Sequence, residues 1–290
     1  MTTEKEVVVS TSANSKTYSL AWPAMALIAL AFILPVGIII ARSFTDPQLG
    51  VQNFEWMMTN ETAQGVIVRT VYTALLATLI TAVLAYPYAY LMATTTPLVR
   101  GILMVVVLLP FWTSMMVRAF AWIIILQRNG LLNSALDAVG LPAVSILGTN
   151  TAVLIGMCQV LMPFMVLPMV SVMLGIDMKL PLAAQIMGAP KWRAFLSVYF
   201  PLSLPGVFAG SLIVFILSLG FYITPALLGS PREQLVPNAL FTQVIELLAW
   251  GRGGALAVAL LLLVGAVFLL LFLIARVFGV RIGKVGGMGL

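Results

Sequence analysis

The chain has 290 residues, 62% apolar and only 8% charged, with a mean hydropathy of +1.11; soluble domains carry about 25% charged residues, so a water-soluble globule is excluded and a polytopic membrane protein remains. It has no histidine and one cysteine, Cys158, which excludes a Ser-His-Asp triad, an imidazole zinc site, an internal disulfide and a C-x-x-C centre. The net charge of +6 is spread singly or in pairs beside apolar runs, a pattern that suits a membrane surface and not nucleic acid.

A polar segment bearing Lys5 and Lys16 leads into the first apolar run, Leu20 to Ala41. This run is longer than the ~7–15 residues of a signal-peptide core and has no convincing cleavage site, so it reads as a retained anchor helix behind a cytoplasmic tail of residues 1–19. Five more runs follow: Thr70 to Ala93, Gly101 to Leu126, Thr151 to Ile176, Gly206 to Leu228 and Ala255 to Phe278. Each approaches or exceeds the roughly 20 residues that cross a bilayer as a helix, and none alternates as a barrel strand must. The predicted fold class is all-α, a domain of six transmembrane helices over 20–278 with a short tail at 279–290.

Orientation follows from the flanking cations. With the N-terminus inside, the cytoplasmic segments carry Lys5, Lys16, Arg100, Lys179, Lys191, Arg193, Arg276, Arg281 and Lys284 against Glu4, Glu6 and Asp177. The outer segments carry five arginines (42, 69, 128, 232 and 252) against six acids. Both termini are therefore expected in the cytoplasm.

Within the second run, Tyr86, Tyr88 and Tyr90 read as membrane-interface belt residues. The third run contains Arg118, a charge that costs ~2.5–3.5 kcal/mol in hydrocarbon and so must face protein or water. It either lines a solute path or pairs structurally, with Asp137 as one partner in reach. Trp112 and Thr113 follow the helix-loosening Pro110, and Tyr222 and Thr224 precede Pro225. Such groups line a cavity or, as the plainer alternative, anchor helix ends at the interface. Cys158 lies in an apolar run and reads as packing, and Pro163 and Pro168 as kinks in the fourth span. Gly206 and Gly210 form a G-x-x-x-G pair that lets another helix approach closely.

The connection from Asp177 to Pro205 is more than a passive loop. Pro181 suits a first helical turn, Ala183 and Ala184 are small, and Gly188 stands four residues after Ala184. Gly188-Ala189-Pro190 reads as a helix stop, after which Trp192, Phe195, Leu196 and Tyr199 recur at helical spacing until Pro201 and Pro205 break the run. Lys191 and Arg193 at the turn face the cytosol. The pattern fits a docking element for another protein or an amphipathic helix on lipid headgroups.

Ala183-Ala184-x-x-x-Gly188-Ala189, followed by Phe195, Val198, Pro201 and Pro205, resembles the "EAA" loop of permease subunits in bacterial binding-protein-dependent ABC importers. Where that motif opens on an acidic residue, this chain has Leu182. The stretches from Leu108 to Asn133 and from Leu217 to Pro231 are similar to the spermidine/putrescine-type subfamily in particular. The resemblance implies a type I importer permease fold in the bacterial inner membrane. It assigns ATPase coupling to Ala183, Ala184, Gly188, Ala189, Lys191 and Arg193 and favours lining for Trp112 and Tyr222; with the residue reading above, the candidate path is Trp112, Thr113, Arg118, Tyr222, Thr224 and Pro225. It further implies a second permease, two copies of a cytoplasmic ATPase and a periplasmic solute-binding protein as partners.

The chain itself is expected to bind no cofactor and no metal and to catalyse nothing. Its nearest approach to a phosphate loop, Gly279 to Val285, is one residue short and lacks Ser or Thr after Lys284, which leaves ATP and magnesium to the ATPase. The six spans contain no Asp or Glu, so a polyamine cargo would meet only aromatics there. That leaves other small organic cations, amino-acid derivatives or opine-like solutes as alternatives. The missing carboxylates also count against a stand-alone secondary transporter and an intramembrane enzyme.

Overall fold

A computed structural model describes residues 15–277. The expected tails, with Lys5 and with the Gly279 to Val285 stretch, lie outside the described residues in whole or in large part. Among the described residues there is helix and no strand, and six helical stretches are long and apolar enough to cross a membrane. These are Met25–Thr45, Glu61–Thr94, Met115–Ala138, Asn150–Met173, Lys191–Leu219 and Trp250–Leu269.

Two of the spans differ from the apolar runs. The third run is not one helix: α4 (Pro97–Leu108) tightens into a 3₁₀ turn at Leu109–Trp112, the chain extends at Thr113 and Ser114, and α5 (Met115–Leu126) begins anew. Pro110 has no N–H to continue the ladder, and hydropathy alone does not register that loss. A short α6 (Leu131–Ala138) follows. The fifth span, conversely, starts earlier than Gly206. Helix α9 (Lys191–Ala194) passes through a π turn at Phe195–Tyr199 straight into α10 (Phe200–Leu219). Pro201 and Pro205 therefore lie inside helix and do not break it. The π turn, in which Phe200 N–H donates to the Phe195 carbonyl, widens the backbone just ahead of Pro201 and relieves the clash a proline ring would make with a preceding carbonyl. The span ends at Gly220, and a separate α11 (Ile223–Leu228) follows.

The core is a three-helix contact. α7 (Asn150–Met173) packs along both α3 (Glu61–Thr94) and α10. The buried face of α3 is a row of small residues (Thr70, Thr73, Ala74, Ala77, Thr81, Ala85) at three- and four-residue steps, which lets α7 come close. α7 answers with flexible side chains, Met157, Met165 and Met169, all fully buried. Cys158 is buried in the same core. Gly206 and Gly210 face α7. A methyl on Gly206 would stand 3.0 Å from Met169 Cα, and one on Gly210 2.9 Å from the Met165 carbonyl oxygen. The G-x-x-x-G face is thus filled from within the chain.

α1 (Ser15–Thr45) is peripheral. Among the described side chains from Trp22 to Ile40, only Val36 is less than exposed. It packs on α13 (Trp250–Val277), and at its far end Ser43 is buried and Gly254 comes so close that a methyl there would lie 2.9 Å from the Ile39 carbonyl. Asn53 of α2 (Gln52–Thr59) clamps this end by donating to the carbonyls of Ser43 at 2.9 Å and Asp46 at 2.8 Å. Arg42 lies over the Trp250 ring and Arg252 over Trp56, at 4.7 and 5.0 Å.

Candidate functional site

Between α7 and α9 the chain leaves the bundle and returns through an elbow. Asp177 Oδ1 accepts from Lys179 N–H at 2.9 Å and starts α8 (Lys179–Ile186). The end of α8 is a Schellman stop: Ala189 N–H donates to the Ala184 carbonyl and Gly188 N–H to that of Gln185, each at 3.0 Å. Gly188 takes φ of +94°, where an L side chain is strained. Its space is open, with nothing within 4 Å of a would-be Cβ. The glycine therefore serves the turn and not a close approach, and it lies past the helix end instead of on the Ala184 face.

Ala184 and Ala189 are half-buried, while Ala183, Lys191 and Arg193 are exposed. The tip is apolar for an exposed turn: Ile186 is 88% and Met187 82% exposed, with Trp192 beside them and Arg193 5.7 Å from its ring centre. The base of the elbow is rigid. Tyr199 is buried and stacks on Phe195 at 5.7 Å, and Tyr90 meets both rings edge-on at 5.1 and 5.5 Å. Tyr86 adds an edge contact to Phe195 and a 2.9 Å hydrogen bond between its hydroxyl and that of Ser203. Tyr86 and Tyr90 are thus half-buried members of the α3–α9 joint and not belt residues, and Tyr88 donates its hydroxyl to the Leu103 carbonyl at 2.6 Å.

The residues expected along a path fall into two groups. Trp112, 74% exposed, and Thr113 stand at the α4–α5 break. There the Pro110 carbonyl accepts from Thr113 Oγ1 at 3.0 Å and from Arg118 Nη1 at 2.6 Å. Arg118 is bonded to that carbonyl, which also accepts from Thr113 N–H at 3.3 Å, and Asp137 is not its partner; the guanidinium is anchored at the helix break. At the α10–α11 break, Thr224 and Pro225 are buried, and a methyl on Gly156 would come within 2.6 Å of Thr224 Cγ2. Tyr222 is half-buried and lies 5.4 Å from the Phe241 ring. α5 packs against α11, with Leu126 and Leu228 in one cluster, while the α4–α5 break lies further along α7, where Phe111 meets Phe164.

Two features escaped the sequence reading. A groove of about 520 Å³ runs between α3, α4, α5 and α7, and in it Trp122 Nε1 donates to Gln159 Oε1 at 2.7 Å. A lone exposed amide in the middle of an apolar span was the available signal. The second is Asn238 of α12 (Val236–Phe241), buried beside Tyr222. Among the described residues no three His, Cys, Asp or Glu side chains converge on a metal position.

Comparison with known proteins agrees with this architecture. The family model "Binding-protein-dependent transport system inner membrane component" matches residues 85–284. The spermidine/putrescine transport system permease protein PotB of Escherichia coli (strain K12) is 32% identical over 219 residues, 75% of this chain and 80% of that one. PotB of Haemophilus influenzae is 34% identical over 203 residues, 69% and 70% of the two chains. A permease-sized chain in the crystal structure of a bacterial alginate ABC transporter, with its periplasmic protein bound, superposes with a TM-score of 0.73 at 18% identity, covering 95% of this chain and 97% of that one, which establishes the shared fold. With six apolar helical spans around a three-helix core and a family match that takes in the elbow, this chain belongs to the binding-protein-dependent transport system inner membrane components, multi-pass permeases of the inner membrane.

Proposed function

We propose that the chain is the permease subunit of an ABC importer that carries a polyamine of the spermidine/putrescine kind inward by alternating access. The observation that carries the cargo is the identity of 31–34% to spermidine/putrescine permeases over 69–76% of the chain. A second permease completes the path, a periplasmic protein delivers the solute, and two copies of a cytoplasmic ATPase hold ATP and magnesium. The elbow is the coupling element, with Ala183, Ala184, Gly188, Ala189, Lys191 and Arg193 at the ATPase, and both termini are cytoplasmic.

Coupling needs an element that docks outside the membrane and does not flex where it joins the spans. The exposed apolar tip at Ile186 and Met187 supplies the first and the Tyr90–Phe195–Tyr199 cluster the second. Closure of the ATPases would then turn α9–α10 as one body. Trp112, Thr113, Arg118, Tyr222, Thr224 and Pro225 belong to the two helix breaks in this reading. Trp112 and Thr113 are exposed and Arg118 and Tyr222 half-buried, while Thr224 and Pro225 support the break from behind.

The test is ATPase activity of the assembled complex in nanodiscs with its binding protein, screened with spermidine, putrescine and non-amine solutes, for wild type and Gly188→Asp. Stimulation by a polyamine, lost in the variant at equal assembly, is the expected result. Stimulation by a non-amine solute alone removes the polyamine cargo; a Gly188→Asp complex that couples normally removes the elbow's role.

A further inference from the structure

α7 is the core helix of the bundle, covered by α3 on one side and by α10 on another. One strip of it stays open, through Thr151, Ile155, Gln159 and Met162, and this strip floors the groove of about 520 Å³. α4 and α5, separated by the break at Pro110, border the strip without closing over it. Leu84 of α3 and Val106 of α4 stand exposed on its apolar walls.

Gln159 is the tenth of the 24 residues of α7, about 14 Å from the helix start, and so lies within the hydrocarbon. Its side chain is exposed, and Trp122 Nε1 donates to its Oε1 at 2.7 Å. An indole N–H can only donate, so Oε1 faces Trp122 and the two hydrogens on Nε2 are directed elsewhere. They meet no acceptor among the described residues. Trp122 thereby holds the amide with its donors presented to the groove. Amide donors left without a partner in hydrocarbon are costly. Lipid tails offer no acceptor, and a protonated polyamine brings only further donors. A neighbouring transmembrane helix supplies both an acceptor and the apolar side chains that fill the groove.

We infer that a helix of the second permease seats in this groove and accepts a hydrogen bond from Gln159 at mid-membrane, through a side-chain oxygen. That a second permease exists rests on the function proposed above; where it seats rests on the open strip of α7, the oriented amide and the apolar walls. Trp122 is the positioning residue, since its N–H fixes which end of the amide faces the partner.

The test uses the whole complex in mild detergent, purified through a tag on this chain. A photoreactive benzoylphenylalanine in place of Leu84, on the groove wall, is expected to crosslink to the second permease. Gln159→Met keeps the length of an exposed side chain and removes only its amide, so it reports association and not folding. It is expected to shorten the time for which the second permease stays bound to the tagged chain about three- to tenfold, and Trp122→Phe to do so by less. A crosslink to lipid alone, or retention in Gln159→Met equal to wild type, overturns the inference. So does rapid reaction of Gln159→Cys, in a Cys158→Ser background, with a water-soluble thiosulfonate in the assembled complex, which would put the position on the water-filled path. A tagged chain that carries no second permease at all removes the two-permease reading itself. A second permease that co-purifies but never crosslinks at the Leu84 position keeps that reading and removes the seat.

Discussion

At Gly188 the backbone holds φ of +94° with open space around it, so within the chain an uncharged substitution acts through conformational strain, while the charge of Gly188→Asp would act on the proposed ATPase contact. Gly188→Asn is expected to stay near wild type, because Asn tolerates this region, whereas Gly188→Val costs on the order of 1–2 kcal/mol or more in the stop and loosens the elbow. Thermal unfolding and ATPase stimulation of the complex check the order Gly, Asn, Val. Gly210 differs in kind, since a side chain there meets the backbone carbonyl of Met165 at 2.9 Å and cannot displace it cheaply. Gly210→Leu is expected to cost on the order of 1–3 kcal/mol or more and to lower the yield of folded complex, read by fluorescence size exclusion. The stop at Gly188 was legible from sequence because turn chemistry is local. The partner of Arg118 was not, because it depends on how the chain turns at Pro110. Asn238 was not either, because its burial depends on α12 folding back beside Tyr222.

The joint between α3, α9 and α10 turns on Tyr199, which is buried while its hydroxyl has no hydrogen-bond partner among the described residues. Removing only that oxygen relieves an unmet polar group, so Tyr199→Phe is expected to be neutral or stabilising. Tyr199→Ala, which empties the ring site against Tyr90 and Phe195, costs about 3–5 kcal/mol. Melting temperatures of the two variants in detergent decide this, and equal destabilisation would exclude the packing account. The number and class of spans were readable from the apolar runs. Their true limits were not, because hydropathy counts carbon and does not register where the peptide ladder opens at Pro110 or widens ahead of Pro201.

For the molecule as a whole, the cation count predicts a sidedness that labelling can read. Cys158 is buried and free, so a Cys158→Ser background is silent and single cysteines report position. Asp177→Cys is expected to react with an impermeant maleimide only in inverted membrane vesicles, and Arg232→Cys only in right-side-out ones; the opposite pattern would reverse the topology. Both positions lie outside the spans, at opposite ends of the bundle.

The Asn53 clamp fixes one end of α1, which packs along α13 and not against α3, α7 or α10. A helix of 31 residues is about 46 Å long, well beyond the ~30 Å of hydrocarbon it must cross. A thicker or thinner bilayer is expected to change the tilt of α1 together with α13 before it disturbs the packing of α3, α7 and α10. Hydrophobic mismatch would then be absorbed at the rim of the bundle, away from the three-helix core.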